Sequence, residues 1–312
     1  MVLNKVLNTG ALLGLILLTG CSLMPQADPS GPVSVATTPP APVVEVERRA
    51  PRLGLALGGG AARGFAHVGV IQVLEQNGIR PDVVVGTSAG SLVAALYASG
   101  QSGAELEKSA LAMEEATLTD WSLPIFGRGM LKGEALARYV RQAVDGRLLE
   151  NMVLPLGVVA TDLGNGQGIL FRRGDTATAV RASSAVPGVF EPVRIAGREY
   201  VDGGLVAPVP VRYARDMGAE VVLAVDISSQ PENNAADGSF RALLQTFAIM
   251  GQSINRHELA GADVVLRPAL VGMGSADFSS RQRAMAAGRA AMQAALPQLK
   301  AELARLRTVS AK

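Results

Sequence analysis

Ser88 stands between two glycines in Gly86-Thr87-Ser88-Ala89-Gly90, after the valine run 83–85 and before a stretch of small and apolar residues. The β-branched run predicts a strand and "SLVAALYASG" predicts a helix, so the serine falls at a sharp strand-to-helix turn. Such a turn lifts the hydroxyl above a sheet edge, and only small neighbours fit beside it. The helix N-terminus would also favour negative charge developing on its oxygen. Glycine and serine are ordinary turn residues too, so the spacing alone leaves a purely structural turn open.

Two other segments carry compatible chemistry. Asp202 is followed by Gly203 and Gly204 at the end of "REYVD". This is either an Asp-Gly hairpin turn or a carboxylate held by a tight turn to take the Ser88 proton. Gly58-Gly59-Gly60-Ala61-Ala62-Arg63-Gly64 lies between "LGLAL" and "FAHVGVIQVLEQNG". Phosphate binding fails in detail. Arg63 stands where a dinucleotide fingerprint opening at Gly58 needs glycine, and Phe65 stands where a P-loop counted from Gly59 needs lysine. What remains is a bare tight turn or an oxyanion hole, since glycines let backbone N–H groups approach a reacting carbonyl unobstructed. The chain has two histidines, His67 and His257, and either could serve as base in a triad.

The elements that must position these groups follow a simple rhythm. Strand, glycine turn and helix occur twice in succession, at 53–78 and at 81–100, which argues for a parallel α/β sheet. Residues 103–118 and 133–145 read as amphipathic helices. "DWSLPIFGRGM" between them reads as a loop carrying exposed apolar residues. "LPLGVVATDL" and "EVVLAVDI" are further buried strands, and "ADVVLRP" is the last. "SSQPENNAADGS" reads as a polar, mobile loop. Residues 281–312 read as a basic helical end, broken at Pro297.

Bulk properties exclude several classes. Net charge is only +2, so a nucleic-acid footprint is absent. The single cysteine excludes an internal disulfide and any multi-cysteine metal site. Its position is informative. Lys5, the apolar "ALLGLILLTG" and Cys21 have the layout of a secretory signal peptide, and Leu18-Thr19-Gly20-Cys21 resembles the bacterial lipobox. That resemblance implies cleavage before Cys21, acylation of its thiol, and Ser22 as a signal for the outer membrane. The Pro- and Ala-rich segment after it reads as an extended tether.

The glycine loop with Arg63-Gly64, the elbow framed by Gly86 and Gly90, and the Asp202-Gly203-Gly204 turn occur in the order of the patatin-like phospholipases. "SSAVPGVFEPV", ahead of the aspartate, resembles that family too. The resemblance covers Leu53 to about Ile227. It implies a three-layer α/β/α sandwich with a mostly parallel central sheet. It implies Ser88 as nucleophile and Asp202 as proton acceptor, a dyad rather than a triad. Gly59, Gly60 and Ala61 would frame the oxyanion hole, with Arg63 steadying the loop. Some members carry a third glycine where this chain has Ala61; the alanine N–H still serves unless the loop needs a positive φ there. A branched side chain at Gly60 should then crowd the oxyanion.

The implied activity is hydrolysis of lipid acyl esters, phospholipid or lysophospholipid foremost, with no metal or organic cofactor. Other readings are an idle lipoprotein scaffold and a Ser–Asp–His α/β-hydrolase using His257. The expected division is a signal peptide at 1–20, lipidated cysteine and tether at 21–52, a catalytic domain at 53–232, and a helical C-terminal extension with one strand at 233–312. The expected location is the bacterial cell envelope, lipid-anchored at the outer membrane and facing the periplasm.

Overall fold

A computed structural model describes residues 49–114, 120, 129–229, 238–274 and 276–309. The signal peptide, Cys21 and nearly all of the tether lie outside these residues, as do 115–119 and 121–128 and most of the polar loop at 228–239.

The first strand, β1 (Leu53–Leu57), is buried along its whole length and forms the middle of the sheet. β2 (Val83–Thr87) and β9 (Val221–Val225) flank it, both parallel. Beyond them lie β10 (Val264–Leu266), parallel to β9, and β4 (Leu156–Asp162), parallel to β2. The far side turns antiparallel: β5 (Gly168–Phe171) and β8 (Arg198–Asp202) pair with β4, and β7 (Val193–Ile195) pairs with β8. A separate small ladder joins β3 (Gly129–Leu131) to β6 (Gly188–Phe190), so the end of the "DWSLPIFGRGM" segment is a strand.

The central strands read as nearly continuous apolar runs because helices cover both faces. Leu53, Leu55 and Leu57 point to one side, with Val84 and Leu223. There they meet α1 (Phe65–Gln76), α2 (Ala89–Ala98), α3 (Gly103–Ala112), α4 (Glu134–Ala143) and α5 (Thr176–Ser183). Ala56, Val85, Val222 and Ala224 point to the other, against α6 (Val211–Asp216) and Leu259, which follows α7 (Ser239–Glu258). The result is the expected three-layer sandwich with a mostly parallel sheet. Helix α3 ends at Ala112, short of the expected 118.

The C-terminal region departs from expectation in two ways. Residues 233–312 do not form an extension beside a domain ending at 232, because β10 completes the main sheet and α8 (Arg281–Val309) packs along α1. Helix α8 also runs unbroken through Pro297. A helix-interior proline loses one backbone hydrogen bond, but Met285, Met292 and Leu299 on the same helix are fully buried and hold it in place. The two helices cross closely: a Cβ on Gly288 would run into the Ala66 carbonyl, and one on Gly69 into that of Met285. No helix among the described residues is long and apolar enough to cross a membrane.

Candidate active site

Ser88 occupies the turn between β2 and α2 with φ 53° and ψ −125°, a conformation that costs a non-glycine residue about 1–3 kcal/mol. The sequence can hold it there because its surroundings are small. A Cβ at Gly90 would collide with the Leu57 carbonyl, and one at Gly86 with Gly90 itself. The Ser88 N–H donates to Ser183 Oγ at 2.9 Å, and that hydroxyl donates in turn to the Val159 carbonyl at 2.5 Å. Ser91 N–H and Oγ both donate to the Ser88 carbonyl. The strained residue is thus tied on both sides.

Asp202 ends β8 directly across from Ala160 of β4, while Thr87 is in register with Val159 on the other edge of that strand. One strand, β4, therefore separates and positions the two catalytic candidates. The Asp202 carbonyl accepts from Thr161 Oγ1 at 2.8 Å, and its N–H donates to the Ala185 carbonyl at 2.9 Å. Its carboxylate accepts the Gly204 N–H on Oδ1 at 2.6 Å, while buried Oδ2 lacks a hydrogen bond of standard geometry. Burial raises the carboxyl to about 6, against the opposing pull of the nearby Ser88 hydroxyl and of Gly204. The Ser88 hydroxyl is thus close enough to act on the carboxylate without a fully formed bond.

The glycine loop lies against the serine: a Cβ on Gly59 would stand 3.0 Å from Ser88 Cβ. The three residues expected to frame the hole differ in what they offer. The Gly59 N–H is already given to the Pro208 carbonyl at 2.9 Å, so Gly59 supplies space and not a donor. The N–H groups of Gly60 and Ala61 meet no acceptor among the described residues, as the first positions of a helical turn generally do. Ala61 has φ 51°, so the loop does use the left-handed region there, and the alanine adopts it. At Gly60 a Cβ would point away from the serine, 2.6 Å from the Ile227 carbonyl. The expectation that a branched residue at 60 would crowd the oxyanion is therefore corrected: the collision lies behind the loop. Arg63 is buried and its guanidinium donates to Ser229 Oγ, tying the loop to the segment after β9.

Neither histidine lines a cavity that holds Ser88. His67 is fully buried in α1, with Nε2 donating to the Gly58 carbonyl at 2.8 Å. Desolvation pushes it down to about 4, so it stays neutral. With Gly59 N–H bound to Pro208, it fixes the Gly58–Gly59 peptide from both sides. His257 is exposed on α7.

Two cavities meet at Ser88. The first, of about 230 Å³, is walled almost wholly by apolar groups, among them Leu92, Leu96, Leu106, Met113 and Phe278. The second, of about 220 Å³, holds Asp202, Arg63, Ser228 and Ser229 on one side and Phe247 and Met250 of α7 on the other. Among the described residues no cluster of His, Cys, Asp or Glu could hold a metal ion.

The family model for patatin-like phospholipases matches residues 55–215, just over half of the chain. The chain belongs to the patatin-like phospholipase family. It is 36% identical over 188 residues to an uncharacterised NTE-family protein of Mycobacterium tuberculosis, covering 60% of this chain and 52% of that protein. It is 35% identical over 191 residues to the patatin-like phospholipase domain-containing protein 6 of Homo sapiens, covering 58% of this chain and 14% of that one. The chain thus spans about half the length of the mycobacterial relative and a small part of the human one. Among solved structures, VipD from Legionella pneumophila shares the fold, with a TM-score of 0.54 at 14% identity, over 81% of this chain and 67% of that one.

Within this patatin-like fold, the residues that sequence reasoning missed are the positioning ones. Ser183, Thr161 and Pro208 hold Ser88, Asp202 and Gly59 through single hydrogen bonds from distant segments. Ser183 lay inside the quoted "SSAVPGVFEPV" motif, which was the one available signal.

Proposed function

We propose that this protein is a serine acyl hydrolase that cleaves carboxylic esters of lipids, phospholipids or lysophospholipids foremost, through Ser88 and Asp202. The observation that carries the reading is one juxtaposition. A strained serine stands beside a buried carboxylate raised to about 6, at the meeting point of an apolar cavity and a second one that adds Asp202, Arg63, Ser228 and Ser229 to an apolar lining.

In this reading the Ser88 Oγ attacks the ester carbonyl as its proton passes to Asp202. A free aspartate carboxyl, at 3.8, is a weak base at neutral pH; burial makes this one more avid. The Gly60 and Ala61 N–H groups hold the oxyanion, helped by the positive end of the helix that follows. Collapse expels the alcohol, which takes the proton from Asp202 and leaves Ser88 acylated. Water then gives its proton to Asp202, attacks the acyl carbon, and the Ser88 oxygen recovers the proton. The acyl chain lies in the first cavity, whose walls are almost wholly apolar. The cell-envelope location and acylation of Cys21 belong to the same proposal and rest on the lipobox-like sequence alone.

The test is to incubate the full protein and its Ser88→Ala variant with a panel of phospholipids, lysophospholipids and neutral esters, alongside a fluorophosphonate probe. Ser88-dependent release of fatty acid and probe attachment at Ser88 are expected. Probe attachment that persists in Ser88→Ala, or a panel left uncleaved, would defeat the reading.

A further inference from the structure

Helix α7 is apolar on two sides over its first half. Inward, Leu244, Phe247, Ala248 and Gly251 line the second cavity beside Asp202. Outward, the helical period brings Ala242, Leu243, Thr246, Ile249 and Met250 to one side. Leu243 is 37% exposed, Ile249 53% and Met250 48%. A surface helix normally shows water a polar face. Beyond Met250 this one does, with Gln252, Ser253, Arg256 and His257 exposed.

Three features indicate what covers the outer face. First, Met250 is exposed and also lines the cavity, so the patch runs into the mouth of the site. Second, the helix carries no acid from Ser239 to His257, while Arg241 and Arg256 bracket the apolar turns. Third, Val271, 92% exposed, sits on the loop leaving the carboxyl end of β10, the rim on which β1 and β2 present the glycine loop and Ser88. Apolar groups flanked by cations, without acids, suit the interface of an anionic bilayer. A protein seated there would close the mouth, whereas a lipid surface would feed it.

We propose that the outer face of α7 between Leu243 and Met250, together with Val271, is a contact surface for anionic phospholipid, through which ester substrate passes into the second cavity. This rests on the reading of the site as a lipid hydrolase. The helix is anchored for the purpose: buried Asn255 accepts the Val209 N–H on Oδ1 at 3.1 Å and donates to Ser228 Oγ at 2.8 Å. Its outer face can therefore press on a membrane while its inner face keeps the cavity wall in place.

The test uses full-length protein carrying Cys21→Ser, which removes the only native cysteine, with Ile249→Cys labelled by an environment-sensitive fluorophore. Val153→Cys is the control: it is 72% exposed and precedes β4 at the opposite rim. On phosphatidylglycerol vesicles the label at 249 should shift to the blue and be quenched by nitroxide lipids, while the label at 153 stays in water. Phosphatidylcholine vesicles should give a weaker response. Separately, the double variant Leu243→Ser/Ile249→Ser should lose roughly tenfold or more of turnover on phosphatidylglycerol vesicles, since two apolar side chains no longer leave water. Its turnover of a soluble short-chain ester should stay within about twofold, because both changed side chains point away from the cavity.

A label at 249 that remains in water on these vesicles overturns the proposal. So does a label shielded without vesicles in a concentration-dependent way, which would mean that a second copy covers the face. The functional reading fails separately: no Ser88-dependent turnover of the soluble ester would sink that reading whatever the label does.

Discussion

Asp202 is held in the folded protein at the expense of stability. Its carboxyl is raised to about 6 by burial, above the 3.8 of a free aspartate. Between those two values the folded state holds a proton that the unfolded chain has lost, so folding stability falls as pH rises through that window. The cost is up to about 3 kcal/mol. Asp202→Asn should therefore lose turnover to the Ser88→Ala level. It should also unfold at higher denaturant than the parent above pH 6, with the gap closing toward pH 4. Denaturant titrations at three pH values check this, and a gap independent of pH would contradict it. The rate per free enzyme and substrate should show an acid limb centred near pH 6, since only the ionised carboxylate accepts a proton.

The histidines give the opposite pattern. His257→Gln should leave the rate unchanged. His67→Gln keeps a donor for the Gly58 carbonyl and should stay within roughly tenfold, far from the 10²–10⁴-fold loss of a general base. A hundredfold loss of rate in either variant, with the fold intact, would restore the triad. The turns that carry Ser88 and Asp202 were legible from sequence because glycines beside a chemical residue leave a pattern. The commitment of the Gly59 N–H to Pro208 was not, since that bond spans distant segments and uses backbone alone.

The elements around the loop are set by close approaches. Gly60→Val should be destabilised by about 1–3 kcal/mol as its Cβ is forced onto the Ile227 carbonyl. Turnover should fall too, because the loop has to shift as a whole. Thermal melts beside turnover measurements separate this from simple crowding of the oxyanion, which would spare stability. Gly288→Ala tests a longer lever. Its methyl would push α8 off α1 at Ala66, and α1 begins where the glycine loop ends. A loss of about 1–3 kcal/mol is expected, with kcat falling more than KM rises. The strands and the first two helices were readable because period and glycine turns coincide there. The role of α8 was not. Its basic residues and Pro297 suggested a helical end broken at the proline, and nothing local announces that Gly288 meets Ala66 some two hundred residues earlier.

On the scale of the whole molecule, a cleavable leader, one cysteine and a proline-rich tether would place the folded unit beside a membrane. Intact-mass analysis from a bacterial host should find a chain beginning at acylated Cys21 in the envelope fraction, and Cys21→Ser should abolish acylation. An unprocessed N-terminus would refute the lipobox reading. A single acyl chain holds only marginally, so the cation-flanked face of α7 would add a second attachment.

In the proposed reaction the two cavities that meet at Ser88 would also set an order of traffic. With the acyl chain stored in one chamber, the departing alcohol would leave by the other, and the next reactant would enter through the space just vacated. Water and a second alcohol would then compete for the same doorway, after the first product has gone. With a lipid ester and an added alcohol acceptor, initial rates should follow a ping-pong pattern, with parallel lines in double-reciprocal plots. Filling the second chamber should shift the balance between hydrolysis and transfer without changing which acyl chains are accepted.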